Sequence, residues 1–147
     1  MNLIAYAGLL SVALAELASS RLAAQADSPI DTTRWVLVNI SPDGIRDYID
    51  TTTVQRAGDT VTAWVEHRWS HPQHARSVRY TWTLVRSAFD CAHAQLMDLY
   101  LIAYDGPTET QTLSEAALGG WRPIAPGTVG ERESAFACSL PPRAAPR

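Results

Sequence analysis

Three of the four histidines, His67, His71 and His74, crowd into one short stretch, the pattern in this chain nearest to a metal site. In a strand leading into a loop, the three rings can converge on one cation. No carboxylate or thiol stands at a spacing that completes the set. The residues therefore favour a solvated polar hairpin, with no metal and no cofactor. Nucleophilic catalysis has less support, because no Gly-x-Ser-x-Gly elbow presents a serine. Cys91 and Cys138, the two cysteines, are poor nucleophiles if they are oxidised together. A carboxylate pair for glycoside cleavage must face across a cleft, which spacing along a chain does not reveal. The expectation is a protein without catalytic residues.

Binding chemistry is better represented. Trp69, beside the His71-Pro72 loop, is the tryptophan expected to be exposed. With Arg68, His71, His74 and Arg76 it forms a candidate contact patch, since Trp and Arg are favoured at interfaces. Trp35, Trp64, Trp82 and Trp121 are expected to pack in the core and on sheet faces. Asp50 is expected to accept from the backbone N–H of Thr52 or Thr53 and order a turn, and Asp90 to fix a strand end beside Cys91.

The elements that must position these groups read as strands. Trp35 to Ile40 is rich in β-formers and stops at Ser41-Pro42-Asp43-Gly44, a strong turn signal. Asp47 to Asp50 reads as a second strand. After Ala57-Gly58-Asp59, Thr60 to Trp69 alternates, with Val61, Ala63, Val65, His67 and Trp69 on one face. Pro72 argues against a central strand through Ser70–His74. Val78 to Phe89 and Leu96 to Tyr104 are two more strands, and Trp121 to Ile124 a short edge strand. Thr112-Leu113-Ser114-Glu115 fits a capping box, so one helical turn is expected between Thr112 and Gly119. Thr128 and Glu131 have the same spacing and open a helix from about Val129 to Cys138. The fold class is α+β: an antiparallel sheet of about five to six strands with a C-terminal helix packed on it.

Composition sets the limits. The chain has 147 residues, of which 46% are hydrophobic and 18% charged, with a net charge of −3. That is one domain, and it offers nucleic-acid phosphate no long-range attraction. All twelve basic residues are Arg, which we read as genome composition. Asn2 to Ala15 is apolar and uncharged, too short to span a bilayer but suited to a signal peptide. Cleavage after Ala24-Gln25-Ala26 is expected, although no basic residue precedes the apolar run. Residues 1–26 are thus read as signal, 27–140 as the domain and 141–147 as a disordered tail. Contact with a membrane is expected only through the signal segment. In a reducing compartment the two cysteines are buried thiols. In an oxidising one they form a disulfide, which stabilises by about 4 kcal/mol through loop-closure entropy.

The order of these pieces resembles the surface-adhesin protein E family of bacterial exported proteins. The pieces are Trp35 to Val38, Tyr48-Ile49-Asp50, Trp64, Phe89-Asp90-Cys91, Tyr104-Asp105-Gly106, Trp121-Arg122-Pro123-Ile124-Ala125-Pro126-Gly127-Thr128 and Cys138. The resemblance runs from about Arg34 to Leu140. It implies a Cys91–Cys138 disulfide, a helix across the sheet, and a periplasmic, secreted or cell-surface location. By its name the family further implies an envelope or host extracellular-matrix protein as partner; the alternative expectation is a periplasmic structural protein or one that holds a small ligand or metal.

Overall fold

The computed structural model describes residues 30–106, 110–116 and 119–141. The expected signal segment and residues 142–147 of the expected tail lie outside the described residues. The elements are β1 (Trp35–Ile40), β2 (Arg46–Asp50), β3 (Gln55–Ala57), β4 (Thr60–Ala75), β5 (Val78–Asp90), β6 (Gln95–Asp105), β7 (Thr110–Ala116), β8 (Arg122–Pro123) and α1 (Val129–Ser139). Six strands follow one another across a sheet in the order β1-β2-β4-β5-β6-β7; β3 pairs with β4 and β8 with β6. Every pairing is antiparallel. This is the expected α+β fold, with β3 and β7 added to the six strands expected. Among the described residues no helix is long and apolar enough to cross a membrane.

Two local expectations are overturned. The His-Pro stretch does not end its strand, and β4 continues through Ala75. The sheet tolerates Pro72 because the register with β5 shifts between Arg68 and Gln73, so the missing N–H falls in an irregularity and not in the ladder. The stretch after Thr112 is no helical turn. It belongs to β7, whose backbone pairs with β6 from Tyr100↔Ala116 to Asp105↔Thr110. A free sheet edge satisfies a whole segment's backbone groups, where a capping box satisfies two.

The alternation along β4 sorts the two faces of the sheet. Val61, Ala63 and Val65 are buried on one face with Ile49, Phe89 and Val54, and Ala137 of α1 packs against them. Helix α1 starts where the spacing placed it. Thr128 is the N-cap, its hydroxyl accepting from Glu131 N, and Glu131 Oε2 accepts from Gly127 N at 2.7 Å. At the other end Arg56 of β3 donates to the carbonyl of Cys138 at 2.7 Å, satisfying a helix-terminal acceptor. Cys91 and Cys138 are joined, with Cα atoms 5.8 Å apart, so the helix is tied to the end of β5.

Candidate functional site

Sheet register assembles a row of polar groups beneath the helix. Asn39 pairs with Asp47, Asp47 with His67, and His67 with Thr83, so β1, β2, β4 and β5 each present one polar side chain to the core face. Glu133, one helical turn before the buried Ala137, descends from α1 onto this row. His67 Nδ1 lies 2.8 Å from Asp47 Oδ1 and 3.6 Å from Glu133 Oε1. The second Asp47 oxygen accepts from Asn39 Nδ2 at 2.7 Å, and Arg132 donates to Asn39 Oδ1. Glu133 is 6% exposed, and its Oε1 has no hydrogen-bond partner.

A cavity of about 340 Å³ opens beside this row, lined by Asp47, His67, Trp69, Tyr80, Asp98 and Val129 among others. Asp98 is held by Ser87 Oγ at 2.9 Å and by Arg122 at 2.5 Å. The ring of Trp69 meets Tyr80 edge-on at 6.3 Å, and its buried Nε1 lacks an acceptor.

Burial and charge act against each other here. Burial disfavours protonation of His67, but the hydrogen bond to Asp47 and the charges of Glu133, Asp47 and Asp98 outweigh it, so its pKa is raised. Burial pushes the Glu133 carboxyl up to about 7, with Asp47 and Asp98 adding to the rise against the opposing effect of His67 and Arg122. The group can therefore hold a proton near neutrality.

The opposite face of the sheet carries a separate network. Asp50 is fully buried, accepting from Arg34 Nε at 2.7 Å and from Thr52 N and Oγ1 at 2.8 and 2.6 Å. Burial would raise its pKa, but these donors prevail and hold it low. Glu66 pairs with Arg68, whose guanidinium lies over Trp82, and Trp82 stacks on Tyr104 at 3.9 Å. Trp64 meets Tyr100 edge-on at 6.2 Å. At the end of β5, Asp90 accepts from Ala92 N and His93 N and pairs with His93; these bonds lower the Asp90 pKa and raise that of His93.

The sequence-predicted residues are distributed as follows. His67 is drawn to Asp47 and Glu133 on the core face, whereas His71 and His74 are exposed on the β4–β5 hairpin. Arg68 and Trp69 point to opposite faces, and Trp69 is half-buried; the exposed tryptophan is Trp121, at 42%. Arg76 is exposed in the hairpin turn, where it and Ser77 have positive φ, a backbone suited to a two-residue hairpin connection. Trp35, Tyr48, Asp50 and Trp64 sit on β1, β2 and β4, while Pro126, Gly127 and Thr128 lead into α1. Sequence reasoning missed Asp47 and Glu133. The signal for Glu133 was its position four residues before Ala137 and four after Val129, on the face a packed helix buries.

A sheet crossed on one face by a helix, which a disulfide ties to the end of the central hairpin, defines a small α+β domain of one layer of strands and one of helix. The surface-adhesin protein E family matches residues 35–139, and the chain belongs to that family. Its fold is similar to the crystal structure of protein E from non-typeable Haemophilus influenzae, with a TM-score of 0.50 and 16% identity over 78% of this chain and 82% of that one. At that identity the likeness concerns fold alone. Comparison with curated proteins gives no significant match.

Proposed function

We propose that this chain is an exported, non-enzymatic binding protein that makes protein contacts at the bacterial envelope, its partner an envelope or host extracellular-matrix protein. Family membership supports the surface-adhesin character, and the β4–β5 hairpin carries the reading. Its pairing with β2 reaches only Arg46↔Arg68 and that with β6 only Trp82↔Tyr104, yet the hairpin ladder continues to Ala75↔Val78. From His71 to Ser77 it extends past the last paired residues of both flanking strands, with His71, Pro72, His74 and Arg76 exposed. A projecting arm with exposed polar and cationic groups is suited to contact a protein surface.

The test is surface capture of envelope and matrix extracts by the disulfide-intact protein, alongside a triple variant His71→Ala, His74→Ala, Arg76→Ala. Saturable binding that the variant weakens by about tenfold or more is expected, equivalent to the roughly 1.4 kcal/mol typical of an interface contact that matters. Absence of any saturable partner, or equal binding by the variant, would remove the arm as the contact. Export is checked by mass spectrometry of the native protein: a first residue at Asp27 with a two-proton mass deficit is expected, and an intact Met1 with free thiols would overturn it.

A further inference from the structure

Contact through the arm leaves the group under the helix without a role. Asp47, His67 and Glu133 each offer one donor atom, and these atoms lie within 4.8 Å of one another. The His67 Nδ1 distances of 2.8 and 3.6 Å to the two carboxylates bracket the edge of a tetrahedron, about 3.3 Å for metal–ligand bonds near 2.0 Å. A second observation is independent of the clustering. Glu133 Oε1, on a side chain only 8% exposed, has no hydrogen-bond partner and faces the same imidazole nitrogen. A buried oxygen without a donor is uncommon, and a bound cation accounts for one directly.

The donors are also held in place. They come from three elements, β2, β4 and α1, and the free oxygen of Asp47 is fixed by Asn39, itself held by Arg132. Outer partners of this kind orient the ligands of metal centres. Charge balances as well: two carboxylates and a neutral imidazole around a divalent ion leave no net charge at this depth. His67 and Asp47 form part of the cavity wall, so the remaining coordination positions face a space large enough for water or a small donor molecule.

We propose that Asp47, His67 and Glu133 form a three-ligand site for a divalent transition cation, opening onto the cavity under α1. One imidazole with two carboxylates favours zinc, manganese or ferrous iron over calcium or magnesium, which bind through oxygen alone in larger ligand sets. The site is distinct from the exposed His71 and His74, and it does not depend on the arm binding a protein.

Calorimetric titration of the disulfide-intact chain with zinc chloride tests it, together with the visible absorption of the cobalt-loaded protein. One ion per chain is expected, with cobalt showing the intensity of a low-symmetry, nitrogen-containing site. Glu133→Gln, nearly the shape of the protonated acid and so compatible with folding, and His67→Gln should each weaken zinc by more than about 100-fold, beyond what losing an outer partner costs. His71→Ala with His74→Ala should leave the affinity unchanged. The proposal is overturned if folded wild-type protein binds no stoichiometric zinc, if Glu133→Gln binds as tightly, or if the His71/His74 variant loses the ion. If a core variant fails to fold, the cobalt spectrum of the unaltered chain beside that of the folded His71/His74 variant decides the matter.

Discussion

One face of the sheet lies under one helix, yet its two ends are built on opposite principles. At the disulfide end, Ile49, Val61, Val65 and Phe89 are completely buried, and Ala137 closes over them beside Cys138. At the other end the same helix and strands β2, β4 and β6 bring Glu133, Asp47, His67 and Asp98 together, the last three lining a cavity. Burial of apolar surface stabilises at roughly 25 cal/mol per Å², whereas burying charged groups is costly unless each is fully paired. The first end holds the domain together, and the second spends part of that stability. The cation proposed at Asp47, His67 and Glu133 would offset that cost.

The widest gap between the two ends should appear on truncation. Phe89→Ala should destabilise by about 3–5 kcal/mol in urea unfolding, through lost transfer energy and the cavity left behind. A loss under about 1 kcal/mol would break the comparison. Replacing both Cys91 and Cys138 by Ala should cost somewhat less, about 2–4 kcal/mol, since the bond closes a separation of 47 residues. Thermal unfolding of the oxidised and reduced wild type gives the same difference without mutation.

At the polar end the sign should reverse. Glu133 titrates at about 7 in the folded chain, against about 4.3 when unfolded. The native state therefore binds more protons between those values, and stability falls as pH rises through that window. His67 adds to the slope. Its raised pKa contributes stability that is complete below the unfolded value, about 6.5, and is lost as pH climbs through the folded one. With chelator present, Glu133→Gln should be more stable than wild type at pH 8 by on the order of 3 kcal/mol, and nearly equal to it at pH 4. Equal stability at both pH values would show that Glu133 carries no burial penalty. The smallest effect belongs outside both ends: His71→Ala and His74→Ala should each change stability by less than about 0.5 kcal/mol.

The two ends also differed in how readable they were. Alternating Val61, Ala63 and Val65, the turn residues at 41–44, and the Thr128–Glu131 spacing are local signals, and they located the strands, the apolar face and the helix. The resemblance supplied the pairing of Cys91 with Cys138. The polar end is non-local. Asp47 faces His67 only because of the β2–β4 register, next to a shift in β1 between Leu37 and Asn39. Glu133 joins them only because of the phase at which α1 packs. The errors have the same origin. Local rules at Pro72 and at Thr112 were outweighed by pairing with β5 and with β6.

The bond between Cys91 and Cys138 also fixes how a pulling force crosses the chain. Tension drawn along the backbone from one end to the other enters at Cys91 and leaves at Cys138 through the sulfurs. The intervening loop, with β6, β7, β8 and most of α1, carries none of that load. Asp98 and Glu133 lie inside this loop, while β1 to β5, with the arm and the other residues of the polar row, lie on the loaded path. A molecule pulled from both ends would strain β1 to β5 while half of its buried polar site stayed slack.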